Sequence, residues 1–360
     1  MEKQSEALRV LSQVSEPLLA WFWENGRELP FRIGRNAYRI WVSEIMLQQT
    51  RIEAVKPYFE RFMQELPDIH SLAECEDERL MKLWEGLGYY SRARNLKKAA
   101  EVLVEKYGGK MPADYEALKS LPGIGPYTAG AIASIAFGIP VPAVDGNVLR
   151  VVSRLCRDDR DIMKTSTRKD VEMLLKETMS KEHPGAYNEA VMEIGETVCI
   201  PNGRPLCERC PMAAWCLAHR DHVEEQYPVR IVKKERRIEE RTIFLLEYQG
   251  GLILEQRPNH GLLAGLYELP GTTGHLDEEA CKVYLQQKFT QLDVDHLSYK
   301  RLLAAKHIFS HVEWHMIGYH VVLPKMDPAP AIVAGKTELA DVYPLPNAFR
   351  AYLKAWNEGI

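Results

Sequence analysis

Two carboxylates in unlike surroundings could do chemistry together. Glu44 lies in IWVSEIMLQQT, where Trp41, Ile45 and Gln48 share its face at helical offsets. An acid set among Trp, Ile, Met and Leu is partly desolvated, which raises its pKa and keeps it protonated near neutral pH. Asp145 lies in VPAVDGNVLRVV, directly before a helix. It or Asn147 can cap that helix, worth about 1 kcal/mol, and the helix N-terminus would also hold Asp145 ionised. A neutral acid with a charged carboxylate is the pair that cleaves a glycosidic bond. The acid protonates the leaving group, and the carboxylate faces the developing oxocarbenium ion. Taken alone, Glu44 reads more simply as a helix-surface or core-satisfied acid.

A second stretch, LPGIGPYTAG from Leu121 to Gly130, sets Gly123 and Gly125 two apart, just before a helix. Glycines permit positive φ, so such a turn can point several N–H groups outward where the helix dipole also favours negative charge. It can hold a phosphate without touching a base. A plain glycine turn joining two packed helices would look the same.

Four of the seven cysteines crowd into 18 residues, spaced Cys199-x7-Cys207-x2-Cys210-x5-Cys216. Zinc ribbons tend to show two C-x2-C knuckles, and one is present here. So tight a loop of thiolates suits a [4Fe–4S] cluster better than zinc. Cys75, Cys156 and Cys281 are isolated and read as buried apolar residues.

The elements that must position these groups fall into two textures. In the 360-residue chain, residues 1–220 repeat apolar side chains at three- and four-residue spacing in Leu8–Trp23, Ile40–Phe62, Leu80–Leu87, Leu96–Tyr107, Tyr127–Phe137, Val148–Leu155 and Val171–Met179. Pro30, Pro67, Pro112, Pro122 and Pro184 punctuate them as breakers. Residues 221–241, with the charged run RIVKKERRIEER, read as a solvated linker. Residues 242–360 become strand-like in TIFLLEY, LILEQRP and HMIGYHVVLP, with helix at Glu278–Phe289 and in the tail. The fold expected is a multidomain one, an all-α half followed by an α+β domain. The formal net charge is −4, so a nucleic-acid surface would have to be a local patch. No long apolar run or apolar leader occurs, and a soluble, cytoplasmic protein is expected.

Together, WVSEIMLQQTRIEAV, EGLGYYSRARNLKKAA, LPGIGPYTAGAIASIAFG, AVDGNVLRV and the cysteine loop resemble the MutY family of adenine DNA glycosylases, within the helix–hairpin–helix superfamily that includes endonuclease III. The resemblance implies that Glu44 protonates N7 of a flipped-out adenine and that Asp145 stabilises, or transiently bonds to, the sugar cation, with Tyr127 and Asn147 in support. It places Arg27, Leu29, Phe31, Ile52 and Glu189 around the adenine, Phe31 standing where the family usually has Trp. Where strand-cleaving relatives carry a lysine, this chain has Tyr127, and a phenol cannot form a Schiff base. The reaction implied therefore stops at an abasic site.

On the DNA side, Tyr89 matches the family's wedge residue and Gln49 another residue at the intercalation point. Thr50, Leu87 and the hairpin glycines Gly123 and Gly125 also sit at family positions. Arg92, Arg94, Lys97 and Lys98 read as phosphate contacts or as a solvated helix face. The C-terminal half resembles a Nudix domain whose magnesium-binding helix is missing, which disfavours nucleotide hydrolysis. Within it, HIFSHVEWH supplies Phe309, Ser310 and His311, matching the loop that inspects 8-oxoguanine. The resemblance implies a [4Fe–4S] cluster on Cys199, Cys207, Cys210 and Cys216, the first gap being one residue longer than usual. It also implies a monovalent or calcium ion at the hairpin and a monomer acting on double-stranded DNA with A:8-oxoguanine or A:G, hence nucleoid association. Two rivals stand against it: a bifunctional pyrimidine-lesion glycosylase, which needs a lysine at position 127, and a non-catalytic, cluster-bearing DNA-binding protein.

Overall fold

Side-chain caps mark where several helices begin. In the computed structural model, which describes residues 2–34, 36–231, 236–258 and 260–359, Asn36, Asp68, Asp114, Asp145 and Asp277 each accept first-turn backbone N–H groups. The chain forms two compact units, Met1–Cys75 with Arg94–Lys233, and Glu76–Ala93 with Lys234–Ile360. Lifting Glu76–Ala93 out of the helical half is something no local pattern announces.

The helices are α1 (Glu2–Asn25), α2 (Ala37–Leu47), α3 (Ile52–Glu65), α4 (Ile69–Glu74), α5 (Asp77–Leu83), α6 (Ser91–Tyr107), α7 (Tyr115–Lys119), α8 (Pro126–Phe137), α9 (Gly146–Cys156), α10 (Thr165–Thr178), α11 (Pro184–Thr197) and α12 (Leu217–Arg220). One core of the first unit joins α1, α9, α10 and α11 through Leu11, Leu18, Val151, Leu175 and Ile194, and reaches Cys216 and Ala218 of the cysteine loop. The Ile40–Phe62 run divides into α2 and α3. Pro184 starts α11 at its first turn instead of ending a helix, since a proline there gives up an N–H that no intrahelical bond needs.

The second unit holds β1 (Arg237–Tyr248), β2 (Gly251–Ile253), β3 (Glu255–Gln256), β4 (Tyr267–Glu268), β5 (Gly271–Thr273), α13 (Glu278–Lys288), β6 (Lys300–Ile308), β7 (Val312–Val322), β8 (Val333–Ala334), α14 (Lys336–Asp341) and α15 (Arg350–Asn357). The main sheet runs β6-β7-β1-β2-β8, with β5 also pairing β1 and with β1 and β7 parallel. Period-two alternation sends Ile243 and Leu245 into a core with Trp314, Met316 and Phe349. Phe244 and Leu246 enter another on the opposite face with Leu285, Ile317 and Tyr319. Strand β1 claims Arg237–Arg241, so the charged stretch is less of a linker than its composition suggests. Its residues 232–235 lie outside the described residues.

Candidate active site

Four helices set the walls of one cavity of about 690 Å³ in the first unit, a size suited to a small ligand. Helix α2 buries Trp41 completely and turns Glu44, 8 % exposed, toward that space. Helix α8 starts at Pro126, just after Gly125, and its first turn carries Tyr127. Helix α9 starts at its cap, Asp145, whose Oδ1 accepts from the Val148 N–H at 2.8 Å. Helix α11 adds Glu189, Met192, Glu193 and Glu196.

Tyr127 Oη donates to Glu44 Oε2 at 2.7 Å. Burial is the largest influence on Glu44 and pushes its carboxyl up to about 7; Asp145 and Glu189 add to the rise, and the Tyr127 hydroxyl and Arg32 oppose it. Tyr127 itself is held well above the ordinary phenol range, first by burial and then by the neighbouring Glu44 charge, so it stays a donor. Asp145 departs from expectation. Its carboxyl is pushed up, chiefly by burial, while the Val148 and Asn147 N–H groups and the Arg150 charge pull the other way. Reading the helix cap alone, which would simply hold Asp145 ionised, leaves out that burial.

Asn147 Nδ2 donates to Asp145 Oδ2 at 3.1 Å and to Glu196 Oε1 at 3.0 Å. Its Oδ1 accepts from Arg150 at 2.9 Å, and the same guanidinium reaches the Cys199 carbonyl at 2.9 Å. A Cβ on Gly195 would lie 2.9 Å from Asn147 Cβ, so α11 has to be bare at that point.

Arg27, Leu29, Phe31, Gln49, Thr50, Ile52 and Glu189 line the same cavity as Glu44, Tyr127, Asp145 and Asn147. Phe31 is buried edge-on against Phe59. The sequence reading missed Arg32, Met192, Glu193 and Glu196. Arg27 pairs with Glu193, which also holds Arg32 at 2.7 Å, and Arg32 lies 3.4 Å from Glu189. The i, i+4, i+7 spacing of Glu189, Glu193 and Glu196 was the available signal, one acidic stripe on one helix face.

Gly123 and Gly125 are exposed in the α7–α8 turn. Gly123 has φ +74°, and a Cβ there would meet Asn95 at 2.6 Å. Leu87, Tyr89, Phe309, Ser310 and His311 all belong to the second unit. Phe309 is wedged edge-on between His307 (4.6 Å) and Trp314 (4.9 Å), leaving Ser310 and His311 exposed at the β6–β7 turn. Arg92 fits neither of its readings, a phosphate contact or a solvated helix face. It is 8 % exposed and donates to the Leu87 and Gly88 carbonyls at 3.0 and 3.1 Å.

Cys199, Cys207, Cys210 and Cys216 line one small cavity beside α9. Burial, first among the causes, pushes Cys207 and Cys210 up to about 12 and Cys216 up to about 11. Thiolates there require a positive core, and Arg154 already donates to Cys199 Sγ at 3.3 Å. The residues thus fit a metal cluster held by four sulfurs. His219 and Glu224, 2.6 Å apart, adjoin Cys207 and were not foreseen. Among the described residues no helix is long and apolar enough to cross a membrane.

Residues 42–179 match the HhH-GPD superfamily of base excision DNA repair proteins, and residues 242–355 match a NUDIX domain. An adenine DNA glycosylase of Homo sapiens is 35 % identical over 88 % of this chain and 68 % of its own length. One from Buchnera aphidicola (the strain from Acyrthosiphon pisum) is 30 % identical over 86 % of this chain and 87 % of its own. A solved thermostable thymine-DNA glycosylase is 25 % identical with a TM-score of 0.54, covering 59 % of this chain and 98 % of its own.

Proposed function

The chain belongs to the adenine DNA glycosylase family, and from that premise we propose that it removes adenine mispaired with 8-oxoguanine or with G from double-stranded DNA. A flipped adenine enters the cavity that Glu44 and Asp145 share. Glu44, protonated through much of the range below its pKa of about 7, gives its proton to N7. The C1′–N9 bond then breaks, its electron pair leaving with the base. Asp145 faces the sugar cation across the α9 N-terminus, steadied by Asn147. Water adds its oxygen to C1′ and releases a proton, leaving an abasic site. Tyr127 supplies no amine, so the strand stays intact.

One observation carries this reading: both acids line a single cavity, each with its own partners. The test is a duplex with adenine opposite 8-oxoguanine, incubated with wild type and with Glu44→Gln and treated with alkali. Alkali-dependent breaks from wild type and none from the variant are expected. Breaks without alkali point to the strand-cleaving rival, and full activity of Glu44→Gln to the non-catalytic one.

Around that chemistry, Gln49, Thr50, Leu87, Tyr89, Gly123 and Gly125 serve the DNA, and Phe309, Ser310 and His311 read the oxidised base. A [4Fe–4S] cluster on the four cysteines would clamp their loop against α9 through four sulfur–iron bonds. A monovalent or calcium ion at the hairpin, a monomeric state and a cytoplasmic, nucleoid-associated location complete the proposal.

A further inference from the structure

The turn between α5 and α6 presents Tyr89, 45 % exposed, beside buried Leu87. Its backbone takes a positive φ at three of the four positions 86–89. Gly86 has φ +101°, Gly88 +69° and Tyr89 +48°, the last a conformation that a tyrosine adopts only when its surroundings require it. Two sets of contacts hold it. From within, Arg92 binds the Leu87 and Gly88 carbonyls, and Trp84 Nε1 donates to Gly88 at 3.1 Å. From outside, α14 and the segment leading from it to α15 grip the turn's other flank. Leu345 N–H donates to Glu85 Oε1 at 2.8 Å, Asn347 Nδ2 to the Gly86 carbonyl at 3.3 Å, and Lys82 Nζ to the Leu339 carbonyl at 3.0 Å. Lys82 and Glu85 are themselves paired at 2.6 Å. These bonds span more than 250 residues of sequence and lie within one compact unit.

We propose that Glu85, Lys82 and Asn347 are positioning residues for mismatch discrimination, through which residues 339–347 fix the turn that presents Leu87 and Tyr89 to DNA. The inference rests on the reading that Leu87 and Tyr89 meet the DNA beside the lesion. Its physical basis is pre-organisation. A turn already held in its strained shape need not be ordered at the moment of insertion, so less of the binding free energy is lost to ordering. The three bonds are made by Nudix-like residues outside the Phe309–His311 turn. The C-terminal half therefore acts on discrimination at a second place, independent of Ser310 and His311.

The full-length protein tests it, with 2-aminopurine placed next to 8-oxoguanine so that insertion of an aromatic wedge changes its fluorescence. Single-turnover rates on A:8-oxoguanine and A:G duplexes are measured in parallel. Glu85→Ala removes the acceptor. Asn347→Asp, at an exposed site that should not disturb folding, sets a carboxylate against the Gly86 carbonyl. Each is expected to weaken the fluorescence change and to cut the preference for A:8-oxoguanine about five-fold, the scale of one lost hydrogen bond. Glu85→Gln keeps an oxygen for the Leu345 N–H and is expected to restore both readouts, which general loosening of the fold would not allow. Unaltered fluorescence and preference in both Glu85→Ala and Asn347→Asp overturn the proposal. A Tyr89→Ala control separates the two levels. If it loses the fluorescence change while the clamp variants keep it, the clamp alone fails; if it too keeps the change, the wedge reading fails with it.

Discussion

The Tyr127 hydroxyl lies 2.7 Å from Glu44 Oε2 and joins the first turn of α8 to the middle of α2. The bond aims the carboxyl, and because the phenol remains protonated it always acts as donor. A donor stabilises the carboxylate more than the acid. Tyr127 therefore restrains a pKa that burial would carry higher. The acid stays strong enough to give up its proton and weak enough to hold it near neutral pH.

The alkaline side of the pH profile follows. A general acid works in its protonated form, so the single-turnover rate should fall above about pH 7 as Glu44 ionises. Tyr127→Phe removes the influence that lowers the pKa and should move that limb to higher pH, with a lower maximum because the carboxyl is less well aimed. A limb that stays in place or moves down in Tyr127→Phe contradicts the assignment.

Stability should respond to the same group with a definite sign. Glu44 has a folded-state pKa raised from 4.5 to about 7, so the folded chain binds the proton more tightly than the unfolded one. Its contribution is most favourable below pH 4.5 and is lost as pH rises toward 7, a change on the order of 3 kcal/mol. Glu44→Gln carries no ionisable group. Relative to wild type it should gain stability as pH rises from 5 to 8, read as a growing difference in denaturant midpoint.

Asp145→Asn separates capping from chemistry. Asparagine caps helices as well as aspartate, so α9 should keep its start and thermal stability should change by less than about 1 kcal/mol. The charge proposed to face the sugar cation is gone, and turnover should drop at least about 100-fold, the scale set by losing one preorganised electrostatic group. DNA affinity should survive. In wild type the acid limb should lie above the ordinary aspartate range, since burial raises the Asp145 pKa. Near-normal excision by a well-folded Asp145→Asn protein would remove Asp145 from the mechanism.

Much of this site could be read in the sequence because its chemistry is local. Glu44 shows its burial in the apolar residues one turn away, and Asp145 shows its cap in the residues that follow it. What escaped has physical causes. Gln49, at φ +57°, breaks the chain between α2 and α3 with no glycine or proline to mark it, so the apolar periodicity ran straight through. Helix α11 was lost because Pro184 serves equally as a stop and as a first helical residue. The transfer of Glu76–Ala93 to the second unit depends on bonds such as Leu345 N–H to Glu85, and long-range pairings leave no trace in a local pattern. Arg92 escapes for a related reason: a guanidinium suggests phosphate or solvent, and only the fold reveals carbonyls already waiting for one.

The turn proposed to read the lesion offers the last test, because its packed residue and its exposed residues are different. Phe309 is packed between His307 and Trp314, whereas Ser310 and His311 stand exposed, with Ser310 Oγ 3.2 Å from His311 Nδ1. Ser310→Ala deletes one hydroxyl from the surface and should leave the melting temperature unchanged. Oxidised guanine differs from guanine in its hydrogen-bonding edge, so the loss should fall on A:8-oxoguanine affinity, about 1 kcal/mol or roughly five-fold, and spare A:G. Phe309→Ala removes the packing instead. It should lower stability by about 3 kcal/mol at most, given the ring's partial exposure, and weaken discrimination by freeing the turn. Competition binding with the two duplexes checks both variants. Equal losses on A:8-oxoguanine and A:G in Ser310→Ala would mean that the serine touches DNA without reading the lesion.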